Sequence, residues 1–167
     1  ALSAGNTVVL KPASLTPLTT LELGKLIEQA GIPPGTVNLI TGPGPVVGKE
    51  LASSDKIDMV SLTGDTVTGK EIMAAAKSNV KKLHLELGGK APFIVFDDAN
   101  LAAAAEGAVA ASMVNGGQDC TQAARFIVHD KVYRKFQERF LERLKTVRIG
   151  DPLQRSTDLG PLVSSKQ

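Results

Sequence analysis

Short runs of apolar, often β-branched residues alternate along the first half of the chain with longer segments whose apolar positions recur every three or four residues. "NTVVLK" reads as a strand. "SLTPLTTLELGKLIEQAGIPPG" then predicts a helix, with Thr16 as N-cap, Pro17 in the first helical position and Gly31 just past the end. Leu23, Leu26, Ile27 and Ala30 form its apolar stripe. "TVNLIT" predicts a second strand, "GPVVGKELASS" a short helix and "DMVSLTG" a third strand. "DTVTGKEIMAAAKS" predicts another helix and "KKLHLEL" a fourth strand. This β-α-β-α-β-α-β order calls for a parallel sheet with helices on its faces.

After "ELGGK" the pattern changes. "APFIVF" predicts a strand, and "DDANLAAAAEGAVAASMV" a helix apolar on most sides, hence buried. A small, polar, Gly-rich loop, "NGGQDCT", leads to the strand "RFIVH". A long amphipathic helix over about 131–147 closes the series, with Val132, Phe136, Phe140 and Leu144 on its inner face. Two adjacent glycines after a strand make a natural crossing point, so a domain boundary is expected at Gly88–Gly89.

Composition narrows the function classes. Hydrophobic residues make up 43% of the 167, enough to bury a core. A net charge of +2 and 4% aromatic content, without a basic block, argue against a nucleic-acid groove. The single cysteine excludes an internal disulfide framework and fits a reducing compartment. The longest apolar stretch, 99–114, is interrupted by Glu106 and Gly107 and reads as a packed helix rather than a membrane span. Both ends look cut, which points to a segment of a longer protein.

Several residues carry candidate chemistry, each beside a plainer reading. In "SLTGDTVTGKEI", Gly64 and Gly69 lie where a strand turns into a helix, and free backbone N–H groups there can hold a phosphate. The plainer reading is an ordinary turn. Asp65 would repel a phosphate and suits an N-cap. Lys11 follows the first strand, at the edge where α/β sheets carry ligands, or is a solvated lysine. Alternation sets Lys82, His84 and Glu86 on one face of the fourth strand, opposite Leu83 and Leu85. Glu86, beside the Gly-Gly crossing, is either a cleft carboxylate or a surface glutamate. His84 reads as structural, with no ligand cluster and no adjacent acid to support metal or triad chemistry, and His129 reads likewise. Cys120 is either a nucleophile or a small buried hydrophobe, although its polar loop suits the second role poorly.

In this order the stretches "AGNTVVLKPAS", "GIPPGTVNLITG", "SLTGDTVTG", "LELGGKAPFIVFDDANL", "NGGQDCT" and "TDLGPLVS" resemble the aldehyde dehydrogenase superfamily over nearly the whole chain. The resemblance implies an α/β fold. Residues 1–87 would be part of a Rossmann-like, NAD(P)-binding domain, and 88–167 the first part of the catalytic domain. It implies that Cys120 attacks the aldehyde carbon and that Glu86 is the general base that activates water and can deprotonate the thiol. The Cys120 backbone N–H would be one oxyanion donor. The family's asparagine donor would precede Ala1, Asn115 reads as loop-shaping instead, and the family's ribose-binding glutamate would follow Gln167. Lys11 matches the lysine at the adenosine ribose. Ser14 stands where NAD-preferring members often carry glutamate, which leaves both NAD and NADP open. Gly64 and Gly69 fit the pyrophosphate turn, whereas Asp65 departs from the more usual serine.

Within the superfamily, "MVSLTG", "HLELGGKAPFIVFDDA" and "GQDCT" look most like γ-aminobutyraldehyde dehydrogenases. Asp119, next to the nucleophile, would favour a cationic aminoaldehyde, or else it shapes the loop. Succinate semialdehyde is the alternative substrate. A different class of reading is an incomplete, catalytically incompetent nucleotide-binding segment. The expected partner is a small aldehyde, with no nucleic acid, membrane or metal, in a cytoplasmic homodimer or homotetramer.

Overall fold

The computed structural model describes residues 1–167. The chain divides into two compact units, Ala1–Glu86 and Leu87–Gln167.

In the first unit, β1 (Val8–Leu10) pairs in parallel with β2 (Val37–Leu39), Val8 facing Val37 and Leu10 facing Leu39. Helix α1 (Leu18–Gln29) links them. Pro17 occupies the N-cap position rather than the first helical one, and no side chain caps the helix, so Thr16 does not play the expected part. The other end follows its sequence. Gly31 has φ +72°, its N–H donates to the Glu28 carbonyl, and the Ile32 N–H reaches the Ile27 carbonyl. That pair of bonds is a Schellman motif, and glycine supplies the left-handed residue it needs.

The expected stripe of α1 is only partly inside. Ile27 is half-buried, but Leu23, Leu26 and Ala30 are exposed. The face that meets β2 runs through Gly24, where a Cβ would lie 2.6 Å from Leu39 Cδ1. The Leu39 side chain packs directly on the bare backbone of Gly24, and the helix's own leucines do not set this contact.

A π-helical turn, Gly44–Gly48, runs directly into α2 (Lys49–Ser53), where the sequence predicts one short helix. Strand β3 (Met59–Gly64) is bonded to β4 (Lys82–Leu87), and α3 (Thr66–Ala75) lies between them in sequence. Ala52, Ile72 and Ala76 are buried, and so is Lys81. The Lys81 ammonium donates to the carbonyls of Ala52, at 2.9 Å, and Ser54, at 3.1 Å. The exposed Val80 takes φ +55° just before it, a conformation unusual for a β-branched residue.

The second unit pairs β5 (Ala91–Val95) in parallel with β6 (Ala123–Val128). The register shifts between Ala91 and Pro92, where proline has no N–H to give the ladder. Helices α4 (Leu101–Met113) and α5 (Tyr133–Leu144) pack with this pair. Val95, Ala105, Ala108 and Phe136 form the core, with Phe93, Phe126 and Phe140 against it. The inner face of α5 is as expected: Phe136 is buried, and Val132, Phe140 and Leu144 are half-buried. Helix α4 is less enclosed than its composition predicts. Ala105, Ala108, Val109 and Ser112 are buried, while Ala102, Ala103, Glu106 and Ala110 are exposed. Alanine leaves so little apolar area that an outer face of it costs little to expose.

The strands form three two-stranded sheets, where the alternation predicts one continuous parallel sheet through the first four. No helix is long and apolar enough to cross a membrane.

Candidate active site

Cys120 is a free thiol and exposed. Its loop is held by polar bonds rather than by burial. Asn115, Gly116 and Gly117 all have positive φ, at 50°, 69° and 71°. Asparagine and glycine are the residues that tolerate this conformation. A Cβ at Gly116 would lie 2.9 Å from Gln118 Nε2, and one at Gly117 would lie 3.3 Å from the Ser112 carbonyl. Asn115 Nδ2 donates to the Gln118 carbonyl and Gln118 Nε2 returns a bond to the Asn115 carbonyl, both at 3.0 Å. Gln118 Oε1 also accepts from the Val163 N–H at 2.9 Å, which ties the loop to the chain's last residues. The loop-shaping role expected of Asn115 is the one its bonds perform.

Asp119 Oδ1 accepts from both the backbone N–H and the hydroxyl of Thr121. These bonds hold its carboxyl below the ordinary carboxylate range, the hydroxyl first and the backbone second. The loop-shaping reading of Asp119 therefore has direct geometric support, and the bonds keep it anionic.

Glu86 stands near the end of β4, whose side chains alternate as the sequence predicts: Lys82, His84 and Glu86 exposed, Leu83 and Leu85 half-buried. The expectation that no acid lies beside His84 needs correction. His84 Nε2 lies 3.3 Å from Glu86 Oε1, and its Nδ1 is hydrogen-bonded to Ser61 Oγ at 3.1 Å. Residues two apart on a strand share a face, so the acid judged missing stood two positions on. The relevant sequence signal was "HLE"; the Ser61 partner, on β3, had none.

Lys11, half-buried, donates from Nζ to the Pro12 carbonyl at 2.8 Å. Ser14 Oγ donates to the Gly42 carbonyl at 3.3 Å. Ser14, Pro12, Thr41, Gly42 and Pro43 line a shallow hollow of about 230 Å³ beyond the carboxyl ends of β1 and β2. Parallel strands open their loops there and leave room for a ligand. Gly42 has φ +143°, and a Cβ on it would lie 2.5 Å from Val47 Cγ2. A Cβ on Gly48 would lie 3.8 Å from Lys11 Cε. The Gly/Pro run "TGPGP" is the sequence signal for this second half of the hollow.

At the β3–α3 turn, Asp65 is the N-cap of α3 and accepts from the Thr68 N–H at 2.7 Å. Gly64 is exposed and Gly69 is buried one turn into the helix. The capping reading of Asp65 holds. Lys11, Ser14, Gly64, Gly69 and Glu86 belong to the first unit, and Asp119 and Cys120 to the second.

The sequence model of the aldehyde dehydrogenase family matches residues 1–167. Betaine aldehyde dehydrogenase of Bacillus subtilis is 46% identical over 166 residues, 99% of this chain and 34% of the relative. The mitochondrial succinate-semialdehyde dehydrogenase of Arabidopsis thaliana is 47% identical over 98% of this chain and 31% of its own length. Among solved structures, an NADP-dependent enzyme of E. coli superposes with a TM-score of 0.97 at 46% identity, covering 99% of this chain and 34% of that one. PnpE in complex with nicotinamide adenine dinucleotide gives 0.96 at 45% identity, covering 98% and 34%. The α/β fold expected from the sequence is thus the fold of these enzymes, and the chain spans about a third of the length of its relatives.

Proposed function

The chain belongs to the aldehyde dehydrogenase family, and on that premise we propose that the full-length protein oxidises an aldehyde to a carboxylic acid with NAD or NADP. Cys120 is the nucleophile and Glu86 the general base. The observation that carries this reading is an exposed, unpaired thiol on a loop of three left-handed residues fixed by hydrogen bonds. A structural cysteine would be buried in apolar surroundings.

The Cys120 thiolate adds to the aldehyde carbon, and the carbonyl oxygen takes up the charge. Backbone N–H groups, that of Cys120 among them, stabilise it. When bound, the nicotinamide ring supplies the two-electron acceptor needed to reach a thioester on Cys120. Glu86 then takes a proton from water, the water oxygen bonds to the acyl carbon, and the carbon–sulfur bond breaks.

Residues 1–87 hold the nucleotide and 88–167 begin the catalytic domain. Lys11 and Ser14 take the adenosine ribose, supported by the hollow that Ser14 lines with Gly42, where Val47 leaves no space for a side chain on the glycine. Gly64 and Gly69 suit a phosphate at the start of α3. Ser14 is neutral and accommodates either a ribose hydroxyl or a 2′-phosphate, so both cofactors fit.

The substrate is an aminoaldehyde such as 4-aminobutanal, which the anionic Asp119 beside the nucleophile favours. Succinate semialdehyde is the second reading, favoured by the name of a relative 47% identical. A cytoplasmic homodimer or homotetramer belongs to the same proposal and rests on family likeness alone.

The test is Cys120→Ala in the full-length protein. Aldehyde oxidation is expected to vanish while nucleotide binding stays near that of the unmodified enzyme. Substantial residual turnover would remove Cys120 from its role.

A further inference from the structure

Ser61 and His84 have no part in the chemistry just described, yet with Glu86 they form a line whose geometry is that of a proton-handling chain. The three side chains come from adjacent strands of one unit, β3 and β4. Ser61 Oγ is 3.1 Å from His84 Nδ1, and His84 Nε2 is 3.3 Å from Glu86 Oε1. His84 and Glu86 share the exposed face of β4, with their side chains a little over half accessible, at 55% and 56%. Nothing in the packing of β4 requires an imidazole there, since its inward face is carried by Leu83 and Leu85.

We infer that His84 is a positioning residue for Glu86, set by Ser61, and that it receives the proton Glu86 takes from water during thioester hydrolysis. This rests on the reading of Glu86 as general base. With Nε2 protonated, the imidazole points an N–H at one carboxylate oxygen and leaves the other to face water. Ser61 then donates its hydroxyl hydrogen to Nδ1. With Nδ1 protonated, the imidazole donates to Ser61 Oγ instead, and Nε2 is free to accept. A hydroxyl is both donor and acceptor, so Ser61 supports either tautomer, where a carbonyl or carboxylate would lock one.

The transfer balances. Once Glu86 is protonated, its O–H bond breaks and an N–H bond forms at Nε2. The carboxylate is restored and the imidazole becomes imidazolium. Solvent then takes that proton, and Glu86 is ready for the next turnover.

The test compares Glu86→Gln, His84→Ala and His84→Gln in the full-length enzyme. Burst amplitude of reduced nucleotide, steady-state kcat and KM are read for each. Glu86→Gln should keep the burst and lose steady turnover by about 10²-fold or more. His84→Ala should keep the burst and KM while kcat falls about tenfold, a fraction of the general-base contribution. Imidazole added to the buffer should restore much of that loss. His84→Gln, which retains an N–H but cannot take a proton, should fall between the parent enzyme and His84→Ala. An unchanged kcat in His84→Ala, beside a defective Glu86→Gln, overturns the role of His84 alone. A loss that imidazole does not restore, with the burst also lost, marks a merely structural histidine and overturns it too. An undiminished Glu86→Gln removes the general-base reading, and the inference with it.

Discussion

The two units fix their functional side chains by different means. All five phenylalanines and the single tyrosine lie in Leu87–Gln167, and four of the phenylalanine rings interlock, with centroids 5.0 to 6.2 Å apart. The unit Ala1–Glu86 has no phenylalanine, tyrosine or tryptophan. Its buried apolar side chains are Ala52, Ile72 and Ala76, and a lysine fills out the site. Offset aromatic contacts add to the area they bury. A polar anchor works otherwise: its net contribution is modest, but leaving its partners unsatisfied is costly. So the loop of Cys120 follows a helix packed into an aromatic core, whereas the strand of Glu86 begins beside a buried ammonium.

The sharpest way to break this comparison is at Phe136, which is 4% exposed and touches two other rings. Phe136→Ala should cost about 3–5 kcal/mol, the range for truncating a core aromatic. Denaturant unfolding measures the loss, and amide exchange locates it: β5 and β6 should lose protection while β1 and β2 keep theirs. A loss under about 1 kcal/mol would mean that the rings touch without carrying the unit.

Lys81 is the matching position in the first unit. Lys81→Met keeps the aliphatic stem and removes the ammonium from the carbonyls of Ala52 and Ser54. The expected cost is about 2 kcal/mol, that of buried acceptors left without donors. Exchange should quicken in α2 and at the start of β4. If Lys81→Met proved neutral, water would be replacing the ammonium, and the first unit would owe its order to backbone packing such as that at Gly24.

What the sequence revealed follows the same division. The inner face of α5 was legible because large apolar residues at helical spacing have one solution. The alternation of β4 was legible because a strand has period two. Gly31 was legible because its conformation has a strong residue preference. The exposure of Leu23 and Leu26 was not legible, because periodicity marks an apolar stripe without saying that anything lies against it. Thr16 failed as a cap because Pro17 takes the N-cap position itself. The partnership of Ser61 with His84 is tertiary, joining residues 23 apart, and leaves no local trace. For the candidate site, residue types and their order are what single out Cys120, Glu86 and Lys11, and their roles remain those proposed above. The hollow between Ser14 and Gly42 needed two strands side by side before it existed.

The smallest expected effect is also the one that divides loop shape from charge. Asp119 holds Thr121 through Oδ1 and is kept anionic by those bonds. Asparagine offers a carbonyl oxygen at the same place, so Asp119→Asn preserves the turn and removes the charge. Asp119→Ala removes both. If the charge attracts an ammonium group on the substrate, Asp119→Asn should lower kcat/KM for 4-aminobutanal by roughly two- to fivefold, the scale of a solvent-accessible ion pair. It should leave a neutral aldehyde of similar length, such as pentanal, unchanged. Added salt should shrink the difference, because screening weakens accessible charges and not the turn. Asp119→Ala should depress both substrates, since the loop that carries Cys120 loses its tie to Thr121. Equal losses for both substrates in Asp119→Asn would make Asp119 a loop residue only. The Cys120 loop would then resemble the Lys81 anchor, its polar groups spent on holding the chain rather than on choosing the substrate.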